Sequence, residues 1–200
     1  MKEQDLANVP ENLPVPKDDG ACDHLVGMEI PSIALAATTG GNVDLARVPG
    51  RAVVFVYPRT GRPDEEPLVA DWDSIPGARG CTPQTCSFRD LHGEFTALHC
   101  RVYGVSTQTT EYQREMTRRL NVTFPVLSDS ELKLATALAL PTFQAAGQVL
   151  LKRMSMVIDD GKIVKVFYPV FPPDKSAETV LEWLRDPRKS KIASRLRKLN

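Results

Sequence analysis

Residues 52–58 read AVVFVYP, a short run of β-branched and aromatic side chains without a charged residue. Such a run, lacking the alternation of apolar and polar residues, is typical of a strand that is buried on both faces of a sheet. Because helices must cover both faces of that sheet, the run predicts a central strand in a layered α/β fold.

The rest of the chain alternates strand and helix patterns. Apolar runs predict further strands at 102–108, 124–129, 149–158 and 162–168, and helical spacing or propensity predicts helices at 82–99, 109–120, 131–140 and 176–186. The turn residues Asp159, Asp160 and Gly161 separate the last two strands and predict a hairpin. This order predicts an α/β sandwich with a mixed central sheet flanked by helices.

Length and patterning suggest one domain with two tails. The chain has 200 residues, of which 42% are hydrophobic, enough for one well-buried core. Residues 1–24 are polar and proline-spaced, so we expect a flexible N-terminal arm before a domain at 25–186. Residues 187–200 form a basic C-terminal tail that we expect to be solvated and not catalytic.

Charge and hydropathy exclude several kinds of partner. The 25 Lys and Arg residues balance 25 Asp and Glu residues, so no net field attracts nucleic acid or an anionic membrane. The N-terminus has no apolar signal segment, and no run is long enough to span a bilayer. We therefore expect a cytoplasmic protein with neither a nucleic-acid nor a membrane partner.

Two thiols stand close together in the segment GARGCTPQTCSFRD at 77–90. In the cytosol a close cysteine pair is more often catalytic, redox-sensing or metal-binding than structural. Thr82 followed by Pro83 resembles an N-cap and the first helical position, and Pro83 fits the second or third position equally well. Either arrangement places Cys81 at a helix N-terminus. A thiol there is favoured as an anion, and the thiolate is the nucleophilic form.

Cys86 lies five residues further along the same predicted helix. Residues at that spacing have Cα atoms roughly 8–9 Å apart and point to different faces, whereas a disulfide tolerates at most about 7 Å. A disulfide between Cys81 and Cys86 therefore requires the first turns of the helix to unwind.

Two other functions are compatible with some of these residues. A zinc-binding module would use Cys81, Cys86, His92, His99 and Cys100, but their spacing is too wide and spreads over several helix faces. A thioredoxin-like thiol-disulfide oxidoreductase is a closer alternative, although its Cys-x2-Cys motif is absent. We expect no metal and no cofactor, and we expect Cys22 and Cys100 to be buried small hydrophobes.

The segments YPRTG at 57–61 and GCTPQTCSFRD at 80–90 resemble the active-site region of peroxiredoxins of the Q or bacterioferritin comigratory type. The resemblance extends over about residues 27–185. It implies a thioredoxin-like fold and a thiol peroxidase that reduces hydrogen peroxide or alkyl hydroperoxides. It also implies re-reduction by thioredoxin or a similar dithiol, and we expect a monomer, with a dimer as the alternative.

The resemblance also assigns roles to residues. Cys81 corresponds to the peroxidatic cysteine, Cys86 to the resolving cysteine that forms a disulfide with it, and Arg153 to the guanidinium beside the thiolate. One departure concerns the threonine that precedes the peroxidatic cysteine in the family, because an insertion at 59–80 separates its counterpart, Thr60, from Cys81. Thr60 is the predicted hydrogen-bond donor to the peroxide if the insertion lets it return to the site.

Overall fold

The computed structural model describes residues 3–186, and the predicted basic tail at 187–200 lies outside them. The helices are α1 Glu3–Ala7, α2 Cys81–Asp90, α3 His92–Ala97, α4 Thr110–Arg119, α5 Lys133–Ala137 and α6 Ser176–Arg185. The strands are β1 Ala34–Ala37, β2 Asn42–Asp44, β3 Arg51–Val56, β4 Cys100–Ser106, β5 Val126–Ser128, β6 Thr142–Ala145, β7 Gln148–Leu151, β8 Met154–Asp159 and β9 Lys162–Phe167.

The main sheet has seven strands in the order β2-β1-β5-β4-β3-β8-β9. Strand β3 runs parallel to β4 and antiparallel to β8, and β4 runs parallel to β5. The hairpin of β8 and β9 turns at Asp160 and Gly161, both with positive φ, as the Asp-Gly pattern predicts. The prediction of a mixed sheet around the AVVFVYP strand is confirmed.

Side chains of β3 face two separate apolar clusters, one on each side of the sheet. Val53 and Phe55 join a cluster to which α2, α3, α4 and α6 contribute, whereas Val54 and Val56 join a cluster that includes α5. All four side chains are fully buried. Helical layers on both faces give the α/β sandwich that the uninterrupted apolar run predicts.

Two predicted elements are divided in the structure. The predicted helix at 82–99 is interrupted at Leu91, between α2 and α3, close to Gly93, a residue that weakens helices. The predicted strand at 149–158 was wrong as a single element. It breaks at Lys152 and Arg153, where the chain leaves the two-stranded β6–β7 hairpin and enters the main sheet as β8.

The described part of the N-terminal arm lies against the domain. Leu6 is buried, and Asp19 pairs with Lys152 at 2.7 Å and accepts a hydrogen bond of 2.8 Å from the Tyr168 hydroxyl. The flexibility of the arm stays a prediction. Between residues 3 and 186 no helix has both the length and the apolar character needed to cross a bilayer.

Candidate active site

Cys81 is the first residue of α2, and the residue before it determines how that helix starts. Gly80 adopts a left-handed conformation with φ of 97°, and its carbonyl accepts the first helical hydrogen bond, 3.0 Å from the Gln84 N–H. A Cβ on Gly80 would also overlap Cγ of Pro173. Pro83 therefore lies at the third position of α2, one of the positions that the sequence allows, and Gly80 in place of Thr82 is the cap because only glycine fits both the backbone angle and the close approach there.

Arg153 lies directly beside the Cys81 sulfur. Its Nη2 is 3.2 Å from Sγ, and both side chains are buried, each only 3% exposed. Arg153 immediately precedes β8, and the next residue, Met154, pairs with Val56 at the end of β3. The antiparallel pairing of β3 and β8 therefore brings Arg153 to the sheet edge where α2 begins.

The same guanidinium also holds the loop that leads into α2. It donates to the backbone carbonyls of residues 77–80 at 2.8–3.5 Å and to the side-chain oxygen of Gln84. These partners are uncharged oxygens, so a thiolate at Cys81 would supply an anion to this buried cation. Sequence reasoning missed Gln84, although its position three residues after Cys81 places it on the same helix face.

Cys86 has a different environment within the same helix. It is half-buried and packs against the apolar cluster that contains Phe88. Burial raises the pKa of the Cys86 thiol above its ordinary value, and the nearby Arg89 guanidinium opposes that shift. Arg89 also forms an ion pair with Asp90, at 2.7 Å. Both Cys81 and Cys86 are free thiols.

Thr60 is fully buried and is hydrogen-bonded to Gln108. Its hydroxyl and its backbone N–H both donate to the Gln108 Oε1, at 3.0 and 2.9 Å, and Gln108 Nε2 donates back to the Thr60 carbonyl at 3.0 Å. The Thr60 hydroxyl is therefore directed to Gln108 in this conformation. No pattern in the sequence singles out Gln108, because its partner lies 48 residues away.

The insertion at 59–80 is folded onto the domain. Trp72 is buried and packs with Phe143 of the β6–β7 hairpin, with ring centroids 6.3 Å apart. On the other side, Arg62 stacks over the ring of Tyr112 of α4 at 3.9 Å. These contacts leave a cleft of about 40 Å³ in front of Cys81.

The remaining cysteines lie outside this cleft. Cys22 and Cys100 are buried, as predicted, and Cys22 Sγ lies 3.8 Å from the Met154 sulfur. Burial raises the pKa of each of these two thiols to about 12. The zinc alternative gains no support, because within residues 3–186 no three His, Cys, Asp or Glu side chains cluster closely enough to hold a metal ion.

Comparisons with known proteins identify the family of the chain. The Redoxin family model matches residues 25–181. A Mycobacterium tuberculosis relative that carries a peroxiredoxin name is 34% identical, covering 72% of this chain and 85% of the relative. Peroxiredoxin Bcp of Bacillus subtilis is 28% identical, covering 80% of this chain and 95% of that protein.

Solved structures show the same fold. The crystal structure of peroxidoxin BcpB from Mycobacterium tuberculosis superposes with a TM-score of 0.64 at 27% identity, covering 80% of this chain and 96% of that one. These relatives support the peroxidase interpretation over the oxidoreductase alternative. With a family model that spans most of the domain and relatives of this kind, the chain belongs to the Redoxin family, as a peroxiredoxin of the Bcp and Q type.

Proposed function

We propose that Cys81 is the peroxidatic cysteine of this thiol-dependent peroxidase. The Cys81 thiolate attacks one oxygen of a hydroperoxide, a sulfur–oxygen bond forms, and the O–O bond breaks. The sulfur is oxidised to a sulfenic acid, while the departing oxygen takes a proton and leaves as water or an alcohol. The observation that carries this assignment is the distance of 3.2 Å between Cys81 Sγ and Arg153 Nη2 in a buried site.

Arg153 has two roles in the proposed first step. Its charge pairs with the thiolate, and we expect the guanidinium, which lies beside the sulfur, to stabilise the negative charge that develops on the peroxide oxygens. Thr60 remains the predicted second donor. Because its hydroxyl donates to Gln108, it has to rotate before it reaches a bound peroxide.

Cys86 completes the cycle as the resolving cysteine. Its sulfur attacks the Cys81 sulfenic acid, the sulfur–oxygen bond breaks, and the released hydroxide is protonated to water as the disulfide forms. Both residues belong to α2, so the helix has to unwind before the two sulfur atoms meet. An external dithiol then reduces the disulfide by exchange, and its own two thiols become a disulfide.

The proposed partner for that last step is thioredoxin or a similar dithiol protein, and the proposed location is the cytoplasm, where such dithiols are maintained. Because both cysteines belong to one helix of one chain, we propose that the monomer carries out the whole cycle. A relative studied by crystallography, the bacterioferritin comigratory protein of Xanthomonas campestris, is linked to alkyl peroxide reduction activity. That activity supports hydroperoxides as the substrate class.

The assignment is tested by following peroxide consumption in two variants with thioredoxin and its reductase present. Cys81→Ser should consume no peroxide above background. Cys86→Ser should consume one equivalent and then stop, with Cys81 held as sulfenic acid that a dimedone-type reagent labels. If both variants lose the first equivalent to the same extent, or if Cys81→Ser keeps turning over, the roles are wrong.

A further inference from the structure

A residue of the N-terminal arm forms part of the cleft in front of Cys81. Leu6 is only 6% exposed, while its neighbours Asp5 and Ala7 on α1 are exposed, so a single apolar side chain projects inward from this short helix. It lines the cleft together with Leu68 and Trp72 of the insertion. Leu6 also lies before residues 25–181, the range that the Redoxin family model matches.

The arm and the insertion contact each other at two places beside the site. Arg79, two residues before Cys81, donates to the Asp5 carbonyl and forms an ion pair of 3.5 Å with Asp73. At the start of the insertion, a Cβ built on Gly61 would lie 2.9 Å from Leu6 Cδ2. The Leu6 side chain therefore packs closely against the backbone of the insertion.

The lining of the cleft restricts the space beside Cys81. The centre of a water-sized molecule has about 40 Å³ available there, and Leu6 lines that space together with two apolar side chains of the insertion. Removing the Leu6 side chain therefore enlarges the space that a hydroperoxide can occupy in front of the sulfur. The lining includes two arginines and two glutamates, Arg59, Arg79, Glu65 and Glu66, so it offers no net charge to a charged peroxide.

We propose that Leu6 is a specificity-determining residue that limits the peroxidase to small uncharged hydroperoxides. Bulky hydroperoxides reach Cys81 only when α1 moves away from the insertion. The inference rests on the proposed function, because it concerns access to the Cys81 thiolate. It goes further in giving the N-terminal arm and the insertion a joint role in substrate selection.

The test measures second-order rate constants for oxidation of the Cys81 thiol in the full chain by hydrogen peroxide, tert-butyl hydroperoxide and cumene hydroperoxide. In the wild type these should fall in that order. Leu6→Ala should raise the ratio of the cumene to the hydrogen peroxide rate constant by about tenfold, the usual effect of enlarging an apolar pocket. The matched control is Val15→Ala, which removes an apolar side chain of the same arm that is 63% exposed.

The outcomes separate the inference from the function on which it rests. A wild type that reacts with cumene hydroperoxide as fast as with hydrogen peroxide overturns the size limit, as does a ratio that Leu6→Ala and Val15→Ala leave equally unchanged. In either case the peroxidase function stands. If none of the three peroxides oxidises Cys81 in the wild type, the proposed function fails and the size limit fails with it.

Discussion

The first and second turns of α2 hold their cysteines in opposite ways. In the first turn, Cys81 is almost fully buried and is held through Arg153, which bonds to its sulfur and to the carbonyls of the loop before it. In the second turn, Cys86 is half-buried and rests against apolar side chains, with Arg89 as a charged neighbour. Cys81 is held by a guanidinium that bonds to its sulfur, whereas Cys86 is held mainly by packing against apolar side chains.

This difference separates the two halves of the proposed cycle. The bonds that Arg153 makes to the first turn favour attack on a peroxide, because they hold the Cys81 sulfur beside a buried cation. The same bonds of Arg153 oppose disulfide formation, because that step requires the first turns of α2 to unwind. The stability of the first turn therefore affects two rates, that of Cys81 oxidation and that of disulfide formation with Cys86. Substitutions that loosen the first turn should slow the first of these rates and raise the second.

The largest effect on activity is expected from removing the Arg153 guanidinium. Arg153→Met should slow oxidation of Cys81 by hydrogen peroxide about 100-fold, the cost of losing one well-placed charge-stabilising donor. Stopped-flow measurement of the first step gives this rate directly. Arg47→Met is the matched control, because Arg47 is 81% exposed and forms its ion pair with Asp44, away from the cleft. Equal rates for Arg153→Met and Arg47→Met would remove Arg153 from the site.

A smaller effect is expected at the start of the helix. Gly80→Ala introduces a side chain at a φ of 97° and against the ring of Pro173. Gly40→Ala has the same φ of 97° but no neighbouring atom within 4 Å, so it shares only the backbone cost. Gly80→Ala should lower the free energy of unfolding by about 1–3 kcal/mol more than Gly40→Ala, the usual cost of overpacking.

Urea denaturation measures that difference, and rapid-quench alkylation measures the two chemical steps. A loosened first turn should slow Cys81 oxidation and speed disulfide formation in Gly80→Ala. If the disulfide forms more slowly in Gly80→Ala than in Gly40→Ala, unwinding of the first turn does not limit resolution.

The smallest effect on activity is expected at Cys22, which lies outside the cleft. Cys22→Ala should leave peroxide consumption unchanged. Its effect should appear in stability against pH, because burial raises the pKa of this thiol from 9.0 to about 12. Between those values only the unfolded chain loses the proton, so the folded protein becomes less stable as pH rises.

Cys22→Ala should flatten that decline, by at most about 1.4 kcal/mol per pH unit. Denaturation curves from pH 8 to pH 11 provide the measurement, and Cys100→Ala should give a similar result. An unchanged alkaline slope in both variants would mean that these thiols are not buried in solution.

Local patterns and the family resemblance predicted different parts of the molecule. The AVVFVYP run and the Asp-Gly turn predicted the central strand and the hairpin, because burial on two faces and a tight turn each leave a local pattern. The placement of Arg153 beside Cys81 came from the resemblance. No local pattern indicates that β3 and β8 pair and bring residues 72 positions apart together.

The parts that sequence reasoning missed depend on distant contacts. The hydrogen bonds of Gln108 to Thr60 and the burial of Leu6 against Gly61 join segments far apart in the chain. The break at Lys152 and Arg153 was missed because both halves of residues 149–158 are apolar and β-forming. Only the pairing of β7 with β6 and of β8 with β3 separates them.

The most direct test of unwinding as a step of the cycle is a disulfide map of the reduced full chain after one equivalent of hydrogen peroxide. Rapid alkylation and peptide mass spectrometry identify each thiol. We expect a bond between Cys81 and Cys86, with Cys22 and Cys100 still free, and such a bond cannot form in the intact α2. A bond to Cys22 or Cys100, or Cys81 oxidised while Cys86 stays a free thiol, would contradict this expectation.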